Sequence, residues 1–248
     1  MTALVRIEFR KFWSTPAAAA VAALTVALTA ASVLAGILLA GRAGAPAVGT
    51  TANAAKTLSV GALSSMVMLV LGILAMAGEY RHRTILSAFL AEPRRGRVLA
   101  AKLVTMAVLG TAAGALTYGL ALAIAVPMYA ARGVHHIPLD ITTLWWGTAL
   151  AGGCYALLGV ALGALTRNTV GAIVGAMVWV LVVELGVLQS AVPSAARWLP
   201  TGAAVAITGS ADPVPGMLSP LAAAAVLVGW AAVLAGIAVV VSLRRELR

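Results

Sequence analysis

Long apolar runs separated by short clusters of charge set the pattern of this chain. A helix needs about 20 apolar residues to cross the hydrocarbon core of a bilayer. Six stretches satisfy that requirement, at about 16–40, 57–78, 98–126, 142–165, 169–190 and 220–242. The first carries no charge between Lys11 and Arg42, and the second lies between Lys56 and Glu79. The third holds Lys102 near its start, and the fifth holds Glu184. The pattern predicts an all-α integral membrane protein, with six transmembrane helices in a single domain over residues 1–248.

The segments between the runs have patterns of their own. Over residues 2–14, Leu4, Val5, Phe9, Phe12 and Trp13 share one side of a helical wheel and Arg6, Arg10 and Lys11 the other. That arrangement suits a helix lying in the headgroup layer. Thr15 and Pro16 then supply a capping residue and a proline at the first helical position, so the chain turns and dives. Glu8 falls on the apolar side, where it calls for a basic partner; the simpler alternative is an exposed pair with Lys11. The stretches 41–56 and 191–219 read as external loops. The second contains Pro193, Pro200, Pro213 and Pro215, which predicts short re-entrant or surface helices.

Composition agrees with this picture. The chain is 62% hydrophobic and 10% charged, against about 25% charged in an ordinary soluble domain. Its net charge of +10 would suggest nucleic acid in a soluble protein. Here the basic residues sit in clusters between apolar runs, which is how membrane orientation is encoded. With the N-terminus in the cytoplasm, only Arg42, Lys56, Arg132 and Arg197 fall outside. Both termini are therefore expected in the cytoplasm, and nucleic-acid binding is not expected. The first apolar run is longer than the roughly 7–15 residues of a signal-peptide core, which argues against cleavage. The single cysteine, Cys154, excludes an intrachain disulfide.

The most informative stretch lies between the second and third spans. Gly78 can end a helix in the left-handed conformation. Glu79 then begins a new one, where the helix dipole favours an anion. Ile85, Leu86, Phe89 and Leu90 fall on one arc of that helix, and Pro93 stops it. Arg94, Arg95 and Arg97 hold the start of the third span at the inner surface. An amphipathic helix here reads either as a topological anchor or as a docking element for a cytoplasmic partner.

Here the chain resembles the membrane subunits of type-2 ABC transporters, the six-span permeases of ABC exporters. Their pattern is a flat N-terminal elbow helix, then Glu and an Arg-Gly-Thr-like stretch after the second span, then Pro, Arg and a Lys at the third. Glu79, Arg81, Thr84, Pro93, Arg95 and Lys102 match it in order and approximate spacing, with Arg83 where Gly is usual. Weaker matches are Glu184 followed by Trp198, Leu199 and Pro200, and the terminal Arg244, Arg245 and Glu246. The resemblance implies a permease in the cytoplasmic membrane, with Glu8, Phe9, Phe12 and Trp13 in the elbow helix. It implies a coupling helix from Tyr80 to Leu90 that inserts into a separate ATPase, with Glu79, Arg81, Arg83, Thr84, Ile85, Phe89, Pro93, Arg94 and Arg95 as further coupling residues. No Gly-x-x-x-x-Gly-Lys-Ser/Thr loop occurs in the chain, so by this likeness ATP and Mg2+ are bound in the partner ATPase. Two permeases and two ATPases would form the working unit.

Other constellations say less. Glu184 is the one ionisable residue deep within a span, and such a residue serves either a structural hydrogen bond or a translocation path. His135, His136 and Asp140 have poor metal-ligand spacing. Met66, Met68 and Met76 read as flexible packing. Gly110 with Gly114, Gly159 with Gly163, and Gly171 with Gly175 have the spacing of close helix contacts. The favoured function is ATP-driven export of a hydrophobic or amphipathic molecule (a drug, an antimicrobial peptide or a lipid-linked compound). An ion-driven secondary transporter is the alternative, with Glu184 as its support. An intramembrane enzyme lacks a nucleophile–base set.

Overall fold

The computed structural model describes residues 2–42, 44–81, 95–209 and 216–245, and among these every regular element is helical. In chain order they are α1 (Thr2–Ser14), α2 (Pro16–Leu38), α3 (Thr51–Leu58), α4 (Val60–Arg81) and α5 (Arg95–Ala130). There follow α6 (Ile141–Thr166), α7 (Thr169–Ala191), α8 (Pro193–Ala196), α9 (Pro200–Thr208) and α10 (Pro220–Arg245). Among the described residues six helices are long and apolar enough to cross a membrane, one for each run in the sequence, and the chain is a multi-pass membrane protein.

The helix α6 is the axis of the bundle. Of its most apolar stretch 78% is buried, against 22% for α2, α7 and α10, each of which carries exposed large apolar side chains. Small residues allow that enclosure. A Cβ on Gly159 would collide with Leu69 O and one on Gly72 with Ala156 O, so α4 and α6 touch backbone to backbone. Gly110 and Gly114 meet Gly152 and Thr148 in the same way, closing α5 onto α6. The third glycine pair behaves differently. A Cβ on Gly175 would meet nothing within 4 Å and one on Gly171 only the neighbouring Asn168, so no contact among the described residues explains that spacing. Met68 and Met76 are buried in the apolar core, with Met66 packed against it.

Several boundaries depart from the sequence expectation for identifiable reasons. Gly78 does not end α4; the helix runs on to Arg81, carrying Glu79, Tyr80 and Arg81 in helical register. Glu79 is thereby held by charges on α1 and α5 rather than free to begin a new helix. The proposed coupling residues Arg83, Thr84, Ile85, Phe89, Pro93 and Arg94 lie outside the described residues, and Arg95 opens α5. Thr15 does not cap α2 with its side chain; its hydroxyl donates to Lys11 O at 2.7 Å, while Pro16 takes the first position of the helix. Residues 41–56 are not wholly loop, because α3 forms there with Thr50 accepting from Asn53 N. α5 passes Pro127, which brings the Tyr129 hydroxyl to Asn53 Oδ1 at 2.8 Å. Arg132 donates to Ile37 O at 2.8 Å, satisfying a carbonyl at the end of α2.

Candidate functional site

The first site grows from the placement of four charges on three helices. Glu8 and Lys11 are three residues apart on α1, hence on one helical face. That face is turned toward the bundle, so Glu8 is buried while Arg6, Phe9, Arg10 and Trp13 point outward. Lys11 is thus not on the solvent side with the arginines. Phe12 packs against the core and stacks edge-on with Trp13, ring centres 5.6 Å apart. Lys102, about two turns into α5, is 4% exposed.

These groups form a closed pattern. Lys102 Nζ donates to Glu8 Oε2 at 2.7 Å and to Ala75 O at 3.2 Å, and stands 3.0 Å from Glu79 Oε1. Lys11 Nζ lies 2.8 Å from Glu8 Oε1 and 3.2 Å from Glu79 Oε1. Two carboxylates and two ammoniums cancel, so the junction carries no net charge into its buried surroundings. Burial would raise the Glu8 pKa, but Lys102 and Lys11 outweigh it and hold the carboxyl below its ordinary value. Burial would likewise lower Lys11, and Glu8 with Glu79 overcomes that and raises it. Glu79 Oε2 is buried without a hydrogen-bond partner among the described residues. A cleft of about 500 Å³ opens beside the cluster, walled by Phe12, Ala18, Leu71, Leu74 and Met106.

The same end of α4 also touches the turn between α6 and α7. Arg167 adopts a left-handed conformation at φ 53° and ends α6, and Asn168 accepts from Gly171 N to start α7. This two-residue turn places the Arg167 guanidinium 4.8 Å from the centre of the Tyr80 ring, within cation–π range. Tyr80 is half-buried and Arg81 exposed. α1, α4, α5 and the α6–α7 turn therefore converge on the residues just before position 82.

The second site surrounds Glu184, which is 3% exposed. Its Oε1 accepts from Trp179 Nε1 at 2.6 Å and its Oε2 from Thr201 N at 2.9 Å. Thr201 is the second residue of α9, so the carboxylate satisfies an orphan N–H at the positive end of that helix. The Tyr155 hydroxyl stands 3.4 Å from Thr201 Oγ1. At the other end of α9, Ile207 O packs on Gly147. Tyr155 lies 14 residues into α6, roughly 21 Å along it at the α-helical rise. α9 is therefore a re-entrant helix antiparallel to α6, with its N-terminus deep in the bundle. Its return is fixed by Trp230 Nε1 donating to Trp198 O at 2.9 Å. Both oxygens of Glu184 accept hydrogen bonds from protein donors.

Sequence reasoning brought Glu8 and Glu79 forward but gave Lys11 and Lys102 no site role. A signal was available: a lysine inside a span and a glutamate on an apolar arc are two unpaired charges, each of which needs the other. Asp140, grouped with His135 and His136, accepts from Thr143 N at 3.1 Å and from Thr143 Oγ1 at 2.6 Å as the cap of α6. Among the described residues no three acidic, His or Cys side chains are grouped to hold a metal ion. In comparisons with known proteins, no family model matches the chain and no curated protein matches it.

Proposed function

We propose that this chain is the membrane subunit of an ATP-driven transporter of the type-2 ABC class, working with a separate ATPase. In this reading both termini and the 82–94 segment face the cytoplasm, as the basic clusters direct. α1 is the elbow helix, and the stretch from Tyr80 to Leu90 is the part that receives the ATPase. Two copies of the ATPase and a second permease complete the assembly in the cytoplasmic membrane. The cargo is a hydrophobic or amphipathic molecule moved outward.

The observation that carries this reading is the four-charge junction. A segment that receives force from a partner must pass it to the spans, and passing it requires stiff contacts at the point of attachment. Glu79 sits three residues before position 82 and is tied to α1 through Lys11 and to α5 through Lys102. Tyr80, the next residue, meets Arg167 between α6 and α7. A displacement delivered there would reach five helices. A bare topological anchor needs no such network. Glu184, the acid deepest in a span, accepts hydrogen bonds from Trp179 and Thr201, which supports a packing role for it over the ion path of a secondary transporter.

Isolation of the chain from its native membrane together with its bound proteins tests the proposal. The reading requires a nucleotide-binding subunit to come with it.

A further inference from the structure

The stretch Trp179–Leu188 within α7 is a π-helix ten residues long. π-Helices occur mostly as single-turn bulges and concentrate at functional sites, so two turns of this geometry call for something that holds them. In a π-helix the backbone pairs i with i+5, which brings residues five apart onto one face. In an α-helix the same two residues point about 140° apart. Trp179 and Glu184 are five apart, and the indole N–H donates to the carboxylate at 2.6 Å. That hydrogen bond is compatible with the π winding and not with the α winding.

We propose that Glu184 is a register latch, a positioning residue that holds α7 in its π winding and pins the re-entrant helix α9 in the same act. One carboxylate oxygen reads the register of α7 through Trp179, and the other accepts from Thr201 N at 2.9 Å. Rewinding Trp179–Leu188 as α-helix swings Glu184 away from the indole and withdraws the acceptor from α9. The two events are coupled because a single side chain serves both. Most of the stretch is free of the core: Trp179, Leu181, Val182, Gly186 and Val187 are exposed on the outer face of the bundle, so rewinding has to re-seat chiefly Val180 and Leu185, which pack in the apolar core. In the transport reading α9 is then the element that moves when a path opens beside α6. The latch itself belongs to this chain alone and stands whether or not an ATPase binds.

Hydrogen exchange resolved over Pro200–Thr208, on the purified chain in lipid nanodiscs, tests it without any partner. Loss of hydrogen bonds to a charged acceptor predicts roughly tenfold or faster exchange of these amides in Glu184→Ala. Trp179→Phe removes the register contact while leaving Glu184 in place, and a smaller rise in the same amides is expected. Deleting Val182 puts Trp and Glu four apart, where an α-helix stacks them. That variant should restore the indole–carboxylate bond in α winding and keep α9 protected at the wild-type level. Unchanged exchange in both Glu184→Ala and Trp179→Phe would overturn the latch. Exchange in the Val182 deletion as fast as in Glu184→Ala would overturn the register argument. A nanodisc preparation that shows the latch yet binds no ATPase would count against the transport reading alone.

Discussion

The two ends of the bundle bury carboxylates by different means. Beside α1, Glu8 and Glu79 are neutralised by two lysine ammoniums drawn from α1 and α5. Beside α9, Glu184 has no cation against it among the described residues and is held by an indole and a backbone N–H. A pair of opposite charges is stiff because removing either member leaves the other uncompensated in a poor solvent. A carboxylate held by neutral donors can exchange one donor for another at smaller cost. In the proposed reading the first junction transmits displacement and the second is released by it.

The largest effect should come from breaking the charge balance. Lys102→Met leaves two carboxylates facing Lys11 alone, and loss of one partner of a buried pair costs about 3–5 kcal/mol. Thermal unfolding in detergent reads this out, and adding Glu8→Gln to Lys102→Met should recover much of the loss. A Glu184→Gln variant, which keeps an acceptor oxygen, should cost clearly less. Equal costs would erase the distinction between the two regions.

The glycine spacings supply a second, smaller contrast. Gly159→Ala forces α4 from α6 and should cost about 1–3 kcal/mol through overpacking. Gly175→Ala, on an open face, should stay within about 0.5 kcal/mol in the monomeric chain. The same unfolding assay compares them directly.

The pH response is the mildest test, because Lys11 is 42% exposed and its ion pairs are screened. Glu8 has a depressed pKa, so its contribution is present above the ordinary value of 4.5 and lost as pH falls through the lowered one. Lys11 has a raised pKa, so its contribution is present below 10.5 and lost as pH climbs through the raised one. The melting temperature should be flat between these limits and fall on both sides. In Glu8→Gln the acid-side fall should shrink.

Much of the fold was legible because hydrophobic run length is a direct consequence of bilayer thickness. All six spans, the helix at 2–14 and the proline-led helices after 191 follow from local sequence. The candidate junction was legible only in part. Glu8 on an apolar arc signalled a missing cation, but its partner Lys102 lies 94 positions away, a pairing that no local period encodes. The place of Gly78 is not legible locally, because a glycine that ends a helix and one that lets it pass look alike until the long-range contacts of Glu79 are known. The π winding leaves no mark in composition; its trace is the five-residue spacing of Trp179 and Glu184. The coupling residues from Arg83 to Arg94 rest on the resemblance, since they lie outside the described residues.

Co-purification from the native membrane tests the central claim most directly. The chain should be tagged at its N-terminus, extracted in mild detergent and its bound proteins identified by mass spectrometry. The account predicts a subunit carrying a phosphate-cradling Gly-x-x-x-x-Gly-Lys-Ser/Thr loop, in equal number with the permease, and ATP hydrolysis in the isolated complex. A chain recovered intact and folded, yet never accompanied by such a subunit, would contradict it.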